Sequence, residues 1–310
     1  SRLLAQAGTD TETTRSSLLM LAFLSLFAWF LTSTAPLGQG LKLSQKVSPV
    51  EDSPFEGRFN DPRLSTGNYN DVNMALKDVA GNDTDETHGP DEFLQKCITE
   101  AWGKCDFLGG APDIFVDIGK ATLARLRSMG MHPESRVLEV GMGLGRCAYP
   151  IIQFLNPGGY SGIEPNANML AFGVAHLLGK QMLDEKQPSF WTSAALDFNT
   201  FNSTFDFLVS RSVWTHMSKK QIEAYMKAFK SVSHDTSKIL TSIFKNTEDC
   251  SHDYLGDDFL GLSEHSNENG MATHCMPWLR QTSVKYGLEI EGDPRLELNQ
   301  WWVVLRHAHK

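Results

Sequence analysis

The sequence predicts an α/β fold in which parallel strands alternate with helices, and three observations carry that prediction. Residues Arg136 to Leu170 read as strand, glycine turn, helix, strand and acid in unbroken order. Strand-like apolar runs recur at Ser189–Leu196, Phe205–Ser210 and Lys238–Phe244, with helical patterns between them. Near the C-terminal end, Leu288–Glu291 and Gln300–Arg306 read instead as two strands of an antiparallel hairpin, with Trp301 and Trp302 anchoring it.

Within the first unit, Val137, Leu138 and Val140 make a short buried strand, and Gly141, Gly143 and Gly145 follow at once. Ala148, Ile151, Ile152 and Leu155 then fall at helical spacing, and Pro157-Gly158-Gly159 stops the helix. Tyr160–Ile163 is the second strand, with Glu164 at its end. Glycines let a ligand approach the backbone, and a carboxylate at that strand end can accept both hydroxyls of a ribose. A pyrophosphate-binding G-x-G-x-x-G would need glycine where Arg146 stands, so the nicotinamide-cofactor fingerprint is incomplete.

The run E-x-G-x-G-x-G over Glu139–Gly145, followed by Glu164, resembles motifs I and II of the class I S-adenosylmethionine (SAM) methyltransferases. Phe205–Ser210 is similar to the family's "FDxVxS" strand, and Ser212–Met217 to the "SVFTHL" segment of one subfamily. The resemblance covers about residues 112–307. It implies a doubly wound, seven-stranded, mostly parallel sheet with an antiparallel C-terminal hairpin, the Rossmann-like methyltransferase fold, and SAM as cofactor. The residues it places around that cofactor are Glu139, Gly141, Met142, Gly143 and Gly145 at the glycine turn, and Glu164 and Pro165 after the second strand. Ser193 and Ala194 after the third strand, and Ser210 and Arg211 at the end of the fourth, complete the set. The acid that often binds adenine in the family has no counterpart at 193 or 194; Asp197 comes a little later.

His216 is the candidate catalytic base, because it follows the fourth strand and imidazole titrates near neutrality. The alternative is a residue that only bonds backbone where the helix Lys219–Val232 begins, behind the Ser218/Gln221 capping box. Trp214 either flanks the methyl site or belongs to the core. A polar insertion, Asn246–Cys275, follows the fifth strand and is expected to shape the acceptor pocket. Its histidines, His252, His265 and His274, lack metal-site spacing, so no metal is expected. Met276–Tyr286 then reads as a helix, and Asn168–Leu178 as the crossover helix before the third strand.

The rest of the chain bounds the partners. A net charge of −9 with no basic stripe excludes a nucleic-acid substrate and leaves a small molecule, lipid or glycan as acceptor. Residues 1–37 carry the apolar run Ser16–Leu31, read as a membrane anchor, with a cleaved secretory signal as the alternative. Residues 38–89 are acidic and rich in Gly, Pro, Asn and Asp, which reads as a flexible linker. They contain the glycosylation sequon Asn82-Asp83-Thr84. The methyltransferase domain is expected over 90–310, opening with helices at Asp91–Trp102 and Pro112–Met129. None of the 5 cysteines shows zinc spacing; Cys97 and Cys105 could pair in an oxidising compartment, and Cys147 reads as a buried apolar residue. The expected activity is therefore methyl transfer from SAM to an oxygen or nitrogen atom. A catalytically inactive SAM-binding or scaffold protein tethered to a membrane is the alternative, and oligomeric state is left open.

Overall fold

In the computed structural model the glycine turn sits at the carboxyl edge of a twisted sheet. Residues 62–65, 68–82, 93, 114–246, 249–260 and 270–309 are described. The strands are β1 (Val137–Val140), β2 (Tyr160–Ile163), β3 (Ser189–Trp191), β4 (Phe205–Ser210), β5 (Ser233–Asn246), β6 (Thr273–Cys275), β7 (Leu288–Ile290), β8 (Arg295–Glu297) and β9 (Gln300–His307). The main path through the sheet runs β3-β2-β1-β4-β5-β9-β7, with β6 paired to β5 and β8 to β9. Strands β1 to β5 are parallel, and β9 runs antiparallel to both β5 and β7. This is the doubly wound, seven-stranded sheet expected, with two short accessory strands.

The helices are α1 (Tyr69–Asn82), α2 (Phe115–Ser128), α3 (Ala148–Phe154), α4 (Ala167–Gly173), α5 (Gly179–Lys186), α6 (Lys219–Ser231) and α7 (Met276–Lys285). The pleat of the strands sorts their side chains between two apolar layers. Val137, Phe207, Val209 and Leu240 pack with Ile151, Ile152, Leu170 and Phe115 on one face. Leu138, Val140, Leu208, Ile239 and Val303 pack with Ile222, Tyr225, Phe229 and Leu279 on the other. Helix α6 begins with the expected capping box, with both the Ser218 and Gln221 bonds made.

Several boundaries differ from expectation. The third strand stops at Trp191, so Ser193 and Ala194 lie in the loop beyond it. The crossover after β2 is longer than expected: α4 passes through a π-helical turn, Val174–Leu178, into α5. The fifth strand begins at Ser233, not Lys238. The C-terminal hairpin is β8–β9, closed by Leu298 and Asn299 with φ of 48° and 66°, while β7 pairs with the far half of β9. Two successive left-handed residues suit a tight turn that follows the strands' own twist.

The largest correction concerns 62–82, which composition assigned to the linker. Pro62–Ser65 forms a 3-10 helix and Tyr69–Asn82 a regular α-helix, with Leu64, Val72, Ala75, Leu76 and Ala80 buried in the first apolar layer. Asn73 ties the helix to the sheet: its Oδ1 accepts from Phe190 N at 2.9 Å and its Nδ2 donates to Phe190 O at 2.8 Å. One amide side chain thus occupies the outward-facing donor and acceptor of a residue on the edge strand. The expected helix at 91–102 and both Cys97 and Cys105 fall outside the described residues, apart from Phe93, which is buried against Phe115 and Phe172. Ser16–Leu31 also lies outside them, and among the described residues no helix is long and apolar enough to cross a membrane.

Candidate active site

The three glycines after β1 all adopt left-handed backbone, with φ of 74°, 57° and 93° at Gly141, Gly143 and Gly145. A side chain at 141 would be strained and would also strike Val213 Cγ2, 2.5 Å from the position its Cβ would take. That contact packs the loop after β4 directly onto the glycine turn. At Gly143 a Cβ would meet only Met169 Sδ, at 3.6 Å, so the requirement there is conformational.

Glu164, almost wholly buried at the end of β2, braces this turn. Its Oε2 accepts from Gly143 N at 2.8 Å and its Oε1 from Asn166 N at 3.0 Å. Asn166 in turn caps α4 by accepting from Met169 N. Met142 is buried under the turn, its sulfur against Gly162, and Pro165 is half-buried beside Glu164.

Glu139 lies one layer deeper. It is buried, accepts the Tyr160 hydroxyl at 2.7 Å, and lies beside Cys147 and Arg146. Burial pushes its carboxyl up to about 8, against the partial relief of the Tyr160 bond. The same burial holds the Tyr160 hydroxyl well above its ordinary range and the Cys147 thiol at about 11.

His216 sits half-buried beyond β4. Its Nδ1 is 2.7 Å from Gly270 O, and since a carbonyl can only accept, Nδ1 carries the proton. The basic lone pair is therefore on Nε2. Burial depresses the imidazolium, with the Gly270 bond working the other way, so the ring stays neutral to lower pH than a free histidine. Phe259 stands beside the ring, and backbone bonds from Leu260 N to His216 O and Ala272 N to Thr215 O lay the insertion over this segment. A disulfide between Cys250 and Cys275 joins the start of the insertion to β6. Asp253, buried beside it, accepts from Cys275 N and pairs with Lys219. Cys250, Asp253 and Cys275 hold their ligating atoms within 4.8 Å of one another, but the disulfide consumes both thiols.

Other expected cofactor residues direct their side chains elsewhere. Ser210 donates to Thr241 Oγ1 within the sheet. Arg211 is buried, bonds Ser212 Oγ and Leu298 O, and lies over Trp302, 5.3 Å from the ring centre. Burial lowers its guanidinium to about 10. Arg125, paired with Glu297, also lies over Trp302, at 5.5 Å. Ser193 Oγ accepts from Ala195 N, a local turn, while Ala194 and Asp197 are exposed. Trp214 is core, fully buried edge-on to Tyr225. No local signal points to Gly270, which sets the His216 tautomer from 54 positions away, or to Tyr160 as the partner of Glu139.

A glycine turn at the carboxyl end of the first strand, braced by an acid at the end of the second, within this strand order, is the arrangement of the class I, Rossmann-like methyltransferase fold. Residues 137–235 match the family model described as "Methyltransferase domain". Among solved structures the chain is similar to magnesium protoporphyrin IX methyltransferase from Synechocystis PCC 6803 with bound SAM. The identity is 14%, coverage is 80% of this chain and 98% of that one, and the TM-score is 0.45. It is also similar to a DhpI–SAH complex (11% identity, 76% and 98% covered, TM-score 0.47). A third similar structure is CalS10, an amino pentose methyltransferase from Micromonospora echinaspora with SAM (13% identity, 63% and 92% covered, TM-score 0.46).

Proposed function

We propose that this chain is a SAM-dependent methyltransferase that methylates an oxygen or nitrogen atom of a small-molecule, lipid or glycan acceptor. The observation that carries the reading is the left-handed glycine turn locked by its Gly143 amide to Glu164. The residues fit the cofactor: Gly143 leaves open backbone at the turn, and Glu164 presents a carboxylate suited to a vicinal diol. Gly141, Gly143, Gly145 and Glu164 would hold it, with Met142 packing beneath.

When bound, SAM would supply an electrophilic methyl group on a sulfonium, with a neutral thioether as the leaving group. The chain's part is alignment, worth up to roughly 7–11 kcal/mol when the reacting atoms are held in a near-attack pose. His216 supplies the base: Gly270 fixes Nδ1–H, and Nε2 accepts the proton that the acceptor oxygen or nitrogen must lose. Backbone bonds from Leu260 and Ala272 hold the described part of the insertion against this segment.

Calorimetric titration of the chain with SAM, S-adenosylhomocysteine and NADH tests the cofactor. Micromolar binding of the two sulfur compounds and none of NADH is expected; a folded sample that binds neither sulfur compound overturns the reading. His216→Gln then tests the base: a loss of about 10²–10⁴-fold in kcat with SAM affinity kept is expected. An unchanged pH–rate profile in that variant would return His216 to a structural role.

A further inference from the structure

We propose that Asn202 is an N-glycosylation site and that the folded domain resides in a secretory lumen. Asn202-Ser203-Thr204 has the N-x-T pattern the modification requires. The tripeptide forms the turn between the 3-10 helix Phe198–Phe201 and β4. Asn202 is left-handed, with φ of 45°, its N–H bonded to Asn199 O at 2.9 Å, and both Asn202 and Thr204 are exposed. A sugar on this side chain projects into solvent and displaces no packed group.

Position in the fold adds to this. Asn202 precedes the amino end of β4, whereas His216 follows its carboxyl end, and the six residues of β4 between them span about 20 Å. A glycan there stands at the opposite edge of the sheet from the glycine turn and leaves the active site open.

The second, independent observation is the Cys250–Cys275 disulfide. Glutathione and thioredoxin keep such pairs reduced in the cytosol, whereas oxidising secretory compartments preserve them. The compartment that maintains this bond also holds the oligosaccharide-transfer machinery. The donor is a lipid-diphosphate-linked oligosaccharide. The Asn202 Nδ2–C1 bond forms as the C1–O bond to the diphosphate breaks. The lipid diphosphate departs with the electron pair, and the amide nitrogen loses one proton.

The test uses the protein isolated from the cells that make it, digested with a peptide-N-glycosidase in heavy-oxygen water and mapped by mass spectrometry. Asn202 is expected as heavy-oxygen-labelled Asp, and the unreduced digest is expected to contain the Cys250–Cys275 cross-linked peptide. Thr204→Ala should abolish the label at 202 and Thr204→Ser should restore it, with methyl-transfer activity unchanged in both. An unlabelled Asn202 overturns the proposal whether or not the disulfide is present. Free thiols at both cysteines overturn the luminal assignment.

Discussion

At the scale of single residues, the site depends on groups that perform two jobs. Glu164 both braces the glycine turn through Gly143 and presents the carboxylate expected to meet the ribose. Glu164→Gln keeps the shape and removes the charge, so SAM affinity should fall by about 1.5–3 kcal/mol, roughly 10- to 150-fold, in a calorimetric titration. Unchanged affinity would remove Glu164 from the ribose assignment. Gly141, Gly143, Gly145 and Glu164 were legible in the sequence because their spacing reports a backbone requirement. Ser210, Arg211 and Ser193 were not legible in the same sense. Position along a strand says which edge a residue reaches, but the partners that take its side chain (Thr241, Leu298 O and Ala195 N) come from other elements or from local turn chemistry.

At the scale of elements, α1 shows where reading by composition loses to periodicity. Its acids and asparagines resemble a linker, yet Val72, Ala75, Leu76 and Ala80 fall at helical spacing behind Asn68, whose side chain accepts from Asn70 N. The polar residues around that spacing mask it, because they carry the composition of a linker. The Asn73 clasp was not legible, since nothing local points to a residue 117 positions away. Asn73→Ala leaves Phe190 N and O without their partner, and a loss of about 1–3 kcal/mol in urea unfolding is expected. A variant as stable as the parent would mean that water replaces the clasp at no cost. The disulfide is illegible for a related reason: with 5 cysteines, pairing depends on the path of the chain.

At the scale of the whole molecule, the buried Glu139 couples stability to pH. Its carboxyl is held at about 8 when folded, against an ordinary value of 4.5, so the folded state binds the extra proton between those limits. Stability from this group is therefore full below about 4.5 and is lost as pH rises towards 8, at up to roughly 1.4 kcal/mol per pH unit. His216 has the opposite sign: burial lowers it, so its contribution is lost as pH falls below its ordinary 6.5. Glu139→Gln should flatten the alkaline decline in melting temperature between pH 6 and 8. A decline as steep as the parent's would place the ionisation elsewhere. The alternation of strand and helix from β1 to β5 was legible, because it leaves few ways to cover both faces of a sheet, while the sheet's full strand number came from the family resemblance.

The Asn73 clasp on Phe190 bears on what the edge of this sheet offers to another chain. An edge strand with open backbone donors and acceptors invites another chain to add itself, and natural proteins guard against such self-templating. Here the guard is a helix, whose single amide imitates the next strand at one residue of β3. A chain cut to 90–310, where the polar composition ends, would discard that guard along with the apolar face of α1. Sheet-to-sheet association and concentration-dependent light scattering are expected of that fragment, while a chain beginning before Pro62 remains dispersed. Equal scattering from the two would show that β3 is protected by some other means.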